Sequence, residues 1–478
     1  MITQIEIDGF KSFKNFKVEL APFQVIVGPN GSGKSNLFDA LQLLSRLMET
    51  DLSSAFLDMR GDANELFTKF PDGQTSKRIF IAVEMLVNRK VQDDWGREAE
   101  LQYTHLRYEL ELERFPDSYQ PYIPHLKHEA LKSIAKVSKG SPNDNSVTVP
   151  FITTISENPA ARITSESSHG VNLFRPKIEL CADPIRDGKT ESFVLPKMRR
   201  TALSSVIDLT FPHAFAAREI LRSLKFLHLN PDVLRQSSSV NAPQTLSAHG
   251  GNLPTVLARM QVEDRFTLGG ISRDLANLVP DLTTIELKED KVNNEYTIWA
   301  TYQDGRSFSS RVLSDGTLQL LTLVTLKNDP QFSGVLCFEE PENGVHPSYL
   351  TAIAHLLREL ATDFNDSEQA EEPLRQVLVT THSPTFISQP DARDALLLTY
   401  TMTRVEPTAA GISPMRFTHA ASVLVSDESS PAPVSKRRLD KWEAGYTIDQ
   451  VKELLTKNHL DETLKSLDES RVKLSAEE

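Results

Sequence analysis

Gly28-Pro29-Asn30-Gly31-Ser32-Gly33-Lys34-Ser35 is the stretch on which the reading of this chain turns. It meets the phosphate-loop pattern G-x-x-x-x-G-K-[ST] at every fixed position. The apolar run Phe23-Gln24-Val25-Ile26-Val27 precedes it, and Asn36 to Leu44 follows with helical spacing, so a strand, a tight loop and a helix are predicted in that order. Each residue type has a chemical reason. Glycine lets the backbone bend close to phosphate oxygens, so that N–H groups along Asn30, Gly31, Ser32 and Gly33 form an anion nest at the positive end of the helix. Lys34 is expected near the β- and γ-phosphates, the Ser35 hydroxyl on Mg²⁺, and Asn36 in the same cofactor-contacting set. The expected ligands are therefore ATP and Mg²⁺.

Composition sets the outer limits. The chain has 478 residues, 39% hydrophobic and 24% charged, as in a globular protein able to bury large cores. No apolar run is long enough for a transmembrane helix, so no membrane partner is expected. Met1-Ile2-Thr3-Gln4-Ile5-Glu6-Ile7 alternates apolar and polar residues and reads as a strand rather than a signal peptide, which places the protein in the cytoplasm. Cys181 and Cys337 are far apart in sequence and are expected as reduced thiols. The net charge of −13 supplies no global field for nucleic acid. Direct DNA contact would need a local patch, for which Pro196-Lys197-Met198-Arg199-Arg200 and Lys436-Arg437-Arg438 are the candidates.

Strands are expected at Arg78–Met85 and Leu101–Leu110, forming an antiparallel sheet, with a turn at Pro71-Asp72-Gly73-Gln74. From about 115 to 205, Ser, Asn, Pro and Thr break the pattern, as at Ser141–Ser146, and short β structure with irregular loops is expected. Helices are predicted over His213–Leu227 (ending in a short strand), Leu253–Met260 and Phe266–Val279, and strands over Thr283–Leu287 and Tyr296–Tyr302, with Asp304-Gly305 as a hairpin turn. Asp427–Pro433 reads as a linker, Ile448–Leu467 as an amphipathic helix, and Ala476-Glu477-Glu478 as a charged end. The expected organisation is one domain over 1–420 and a linker with a C-terminal helix over 421–478. The domain divides into an N-terminal lobe (1–50), an antiparallel β and irregular insertion (51–210), a helical and β insertion (211–304) and a closing lobe (305–420). Neither coiled-coil heptads nor internal repeats are visible.

The closing lobe supplies the remaining chemistry. Gly334-Val335-Leu336-Cys337-Phe338 is an apolar strand running into Glu339-Glu340. Adjacent carboxylates at a strand end allow one, Glu339, to face the metal and the next, Glu340, to polarise the attacking water. Gln376 to Thr381 is a second buried-type strand, and the histidine after it, His382, is placed to hydrogen-bond the γ-phosphate or the water. Ser314-Asp315-Gly316-Thr317 opens a helix, and its Ser-x-Gly turn is an anion-binding element.

In that order, the phosphate loop, the Ser314–Thr317 turn, Glu339-Glu340 and His382 resemble the ABC-type ATPase head in its RecF/SMC-like branch. Ile5 to Phe13 looks like the opening strand and turn of that branch. Glu340-Pro341-Glu342-Asn343-Gly344-Val345-His346-Pro347 is similar to the Walker B and D-loop run of AAA-family ATPases grouped with the overcoming-lysogenization-defect family and its phage-defence relatives. The resemblance covers about 1–50 and 305–390. The turn reads Ser-Asp-Gly-Thr where transporters have Ser-Gly-Gly-Gln, and position 339 is Glu where many members have Asp. Gln74 is the nearest candidate in sequence for the family's Mg²⁺-contacting glutamine.

The resemblance implies an α/β P-loop NTPase fold with an ABC-type core, an added antiparallel β subdomain and a helical signature-motif subdomain. It also implies a homodimer of heads around ATP, with Ser314 and Gly316 of each head completing the other's site. The stretch after His382 has no acidic cluster like that of a Toprim nuclease. The expected role is thus an ATP-hydrolysing switch that controls a separate effector, such as a nuclease or toxin, in bacterial defence or DNA maintenance. The alternatives are a RecF-like repair ATPase that binds DNA directly and a nucleotide-dependent scaffold without turnover.

Overall fold

The computed structural model describes residues 1–70, 73–114, 124–134, 148–155, 176–182, 189–366, 369, 372–408, 411–424, 446–449 and 451–456. Pro71 and Asp72 of the expected turn, Ser141–Ser146, the 427–433 linker, Lys436–Arg438, residues 457–467 of the expected C-terminal helix and the charged end lie outside these. The chain divides into two compact units, each made of several segments. One comprises Met1–Leu20, Ser35–Leu224 and Thr401–His419, and the other Ala21–Lys34, Lys225–Tyr400 and Ala420–Glu478.

The first unit is built on an eight-stranded sheet. Its pairings Ile2–Asp8 with Phe16–Glu19, Ile2–Asp8 with Arg78–Leu86, Arg78–Leu86 with His105–Arg114, and His105–Arg114 with Pro124–Ser133 are all antiparallel. Burial alternates along these strands, most regularly over the first nine residues of His105–Arg114, so one face is core and the other polar. The polar face is a charge ladder in which the Arg107 guanidinium donates to Glu6 at 2.8 Å, Glu84 at 3.1 Å and Glu109 at 2.6 Å. The Arg107 hydrogen bond holds the Glu6 carboxyl down at about 2.

One expected boundary is corrected here. The strand begins at His105, not Leu101, because residues 101–104 close a separate hairpin between Lys90–Gln92 and Glu98–Glu100, with the Leu101 amide on the Arg89 carbonyl at 2.7 Å. Leu52–Leu57, which carried no helical expectation, is a helix capped by Asp51, whose carboxylate accepts the Ser53 and Ser54 amides.

The second unit holds the parallel part of a seven-stranded sheet. Phe23–Val27 lies between Arg375–Thr381 and Leu396–Leu398, and Gly334–Glu339 lies between Arg375–Thr381 and Lys225–Leu227, all in parallel. Phe23–Val27 is buried at every residue, as strands covered on both faces must be. The helices Leu253–Glu263, Thr267–Ala276 and Leu350–Glu359 share its core, as does Asp315–Asn328, buried from Gly316 to Leu326. The predicted strands appear as Leu282–Asp290 and Glu295–Tyr302, with the turn at Asp304-Gly305 before Ser307–Ser309. Leu396–Thr408 and Gly411–Leu424 are long strands that the sequence reading did not single out.

Candidate functional site

Register brings the motifs of the second unit to one edge of the sheet. Thr380 lies opposite both Glu339 and Ile26, and Thr381 opposite Val27. The phosphate loop, Glu340 and His382 therefore leave neighbouring parallel strands at their carboxyl ends, where open α/β sheets bind ligands.

The loop is shaped for close backbone approach. Gly31 and Gly33 have φ of 76° and 97°, a region that disfavours side chains. A Cβ on Gly28 would sit 2.3 Å from the Thr399 carbonyl oxygen, so that position has no room for one. Thr399 follows the strand pairing on the loop's other side, and its hydroxyl meets Ser32 Oγ at 2.8 Å. The Lys34 ammonium donates to the Gly28 and Pro29 carbonyls at 2.6 and 3.1 Å, folded over the loop it belongs to. Lys34 is the first residue of the helix Lys34–Glu49 and Ser35 the second. Asn36, in the first unit, donates its amide to Ser12 Oγ at 2.9 Å, and Ser12 Oγ meets Thr418 Oγ1 at 2.7 Å. A glycine-shaped loop with a lysine over it fits a nucleotide's phosphates, and a hydroxyl with a carboxylate is the hard-oxygen donor set that Mg²⁺ prefers.

Glu339 ends its strand. The neighbouring strand runs in register, Leu227 opposite Phe338, and His228 Nδ1 lies 4.0 Å from Glu339 Oε2. Glu340 is in the left-handed region with φ 47°, sparsely populated for a non-glycine residue and a marker of constrained functional positions. Its amide donates to Thr380 O at 2.9 Å. Its carboxylate is held from both sides: Oε1 accepts from His382 Nδ1 at 3.0 Å and Oε2 from Asn343 Nδ2 at 2.7 Å. With the Glu340 carboxylate as acceptor, the Nδ1 of His382 is the atom that carries the hydrogen. The ring's Nε2 is then an acceptor for a water, or a donor to phosphate once the ring is protonated.

Ser314 caps the helix Asp315–Asn328, accepting the Thr317 amide at 3.2 Å. Arg235 ion-pairs Asp315 and donates to the Leu313 carbonyl at 3.4 Å, countering a negative charge at the helix's anion-attracting end. A Cβ on Gly316 would meet the Tyr349 ring at 2.9 Å. Gln319 donates to the Asn343 carbonyl at 3.0 Å, tying this helix to the turn that holds Glu340.

His228, Asn343, Thr381, Glu342 and Thr399 were not singled out from the sequence. Glu342 stood inside the quoted run, and the signal available for it was its place after Glu340-Pro341. Its Oε1 accepts the Thr381 hydroxyl, while burial pushes its carboxyl up from the ordinary range.

Two family models match stretches of this chain. Residues 1–193 match the AAA ATPase domain family, and residues 187–388 match the AAA domain family described with the AbiEii toxin of type IV TA systems. The chromosome partition protein Smc of Synechococcus sp. is 43% identical over 105 residues, 21% of this chain and 8% of that protein, so the chain spans a small part of that curated relative. Among solved structures, an Smc head bound to the C-winged helix domain of ScpA has a TM-score of 0.46 at 15% identity, covering 88% of this chain and 97% of that one. The SMC head of Thermotoga maritima has a TM-score of 0.36 at 13% identity, covering 88% and 98%. In its phosphate loop, its parallel-strand site and its two family matches, the chain is similar to AAA ATPase domains of the P-loop type.

Proposed function

We propose that this chain binds and hydrolyses ATP as a molecular switch, closing head-to-head around the nucleotide to control a separate effector in bacterial defence or DNA maintenance. The observation that carries the reading is the Glu340–His382 pair, 3.0 Å apart at the same sheet edge as the phosphate loop. Glu340 takes the proton of a water as its oxygen bonds to the γ-phosphorus and the bond to the β-phosphate's bridging oxygen breaks; His382 and Asn343 fix the carboxylate in position for that transfer. Mg²⁺, held by Ser35 and Glu339, would offset the charge on the phosphates. The loop amides and Lys34 bind the phosphates, and Ser314 and Gly316 serve the other head's site in trans. Loss of the γ-phosphate removes that trans contact and biases the pair open.

ATP turnover of wild type and Glu340→Gln tests the reading, with dimerisation in ATP measured alongside. Equal, near-zero rates in both would leave a nucleotide-dependent scaffold instead, and a monomeric Glu340→Gln in ATP would count against the sandwich. Duplex DNA is the second partner to assay: Lys197, Arg199 and Arg200 are exposed, and their replacement should lower any salt-sensitive binding.

A further inference from the structure

We propose that Glu342 is a positioning residue that, through the Thr381 hydroxyl, sets His382 against Glu340. The inference rests on the hydrolysis reading above and adds a residue to it. Thr381 is the last residue of its strand and is fully buried. Its Oγ1 accepts the Ser383 amide at 3.0 Å. A hydroxyl has a single hydrogen, and here it is directed to Glu342 Oε1. The residues on both sides of His382 are thereby fastened to one carboxyl group. The imidazole is carried by a three-residue bracket, not by a free strand end.

Glu342 and Glu340 flank Pro341 and are held in opposite ways. Glu340 receives two donors, from His382 and Asn343, and its side chain is 32% exposed. Glu342 receives the Thr381 hydroxyl, and its Oε2 is buried with no hydrogen-bond partner among the described residues. A buried oxygen without a donor favours the neutral carboxyl, and burial does push this group's pKa up, with the Thr381 hydrogen bond opposing. Two carboxyls in contrasting surroundings divide the work: the more exposed one handles the water's proton, and the one whose oxygen is buried holds the scaffold. What Glu342 must supply is an acceptor for the Thr381 hydroxyl, and a glutamine amide supplies the same acceptor.

The test uses the full chain with Glu342→Ala, Glu342→Gln, Thr381→Val and Thr381→Ser, all checked for ATP binding. Steady-state turnover is measured together with the ¹⁵N signal of the His382 ring at fixed pH. Glu342→Ala and the near-isosteric Thr381→Val should lower kcat about tenfold or more with KM little changed, and Glu342→Gln and Thr381→Ser should restore most of it. The His382 Nδ1 signal should shift in the first two variants and stay near wild type in the other two. Glu342→Ala with wild-type kcat, or Glu342→Gln as impaired as Glu342→Ala, would overturn the proposal. Should wild type turn over no faster than Glu340→Gln, the hydrolysis reading falls, and the ring signal decides alone: an unmoved Nδ1 in Glu342→Ala refutes the bracket.

Discussion

Glu129 in the antiparallel unit and Glu340 in the parallel one are both central carboxyl groups, and their surroundings differ in kind. Glu129 has no exposure and is held by the Tyr108 hydroxyl at 3.0 Å and the Leu203 and Ala202 amides at 2.9 and 2.7 Å. Two of those donors are backbone, fixed once the chain folds. Burial nevertheless outweighs them and raises its pKa to about 7. Glu340 is partly open to solvent and sits on left-handed backbone, and its carboxylate accepts from two side chains, one of them a histidine. Glu129 is enclosed by donors that the fold makes rigid, whereas Glu340 stays reachable and is held by side chains, as the chemistry proposed for it requires.

The contrast can be broken in graded steps. Glu340→Gln should reduce ATP turnover on the order of 1000-fold while ATP binding persists, read by phosphate release and calorimetry. Lys34→Ala should weaken nucleotide binding at least about 100-fold, because the bound phosphates lose the motif's ammonium. Glu129→Ala leaves turnover chemistry untouched in principle but strands buried donors, and should lower stability by about 2 kcal/mol in denaturant unfolding.

The pH response of Glu129 has a definite sign. An unfolded carboxyl loses its proton near 4.5, and the folded one near 7. Between those values the unfolded state binds fewer protons, so stability falls as pH rises, at up to about 1.4 kcal/mol per pH unit. Unfolding midpoints from pH 4.5 to 7 should show that slope, and Glu129→Gln should flatten it. Smallest of all, Lys17→Ala removes a 2.8 Å pair with Glu6 whose lysine is 58% exposed, and should change stability by less than about 0.5 kcal/mol.

The same contrast explains what could be read before the fold was known. The phosphate loop, the Glu339-Glu340 strand and the His382 strand announce themselves because parallel strands buried on both faces are short apolar runs, and the chemistry follows immediately after each. The helix opening at Ser314 was legible from its cap. Long-range placement was not. His228 reaches Glu339 only because Leu227 pairs with Phe338 across 111 positions of sequence, 338 − 227. The burial of Glu342 depends on the turn folding back over Thr381, and Glu-Pro-Glu looks equally at home on a surface. At Leu101 the apolar alternation continued through a hairpin closure, where backbone pairing with Arg89 overrode the period-2 pattern.

Chain order gives the site a timetable. Lys34 is made early, Glu340 and His382 some 300 residues later, and Thr418, which meets Ser12, later still. At about 5–20 residues per second, a ribosome needs tens of seconds to span that interval. During it, the nascent chain carries a phosphate loop without Glu340 or His382, the pair proposed to act on the water. Synthesis itself thus delays assembly of the proposed site until all of that interval has been made.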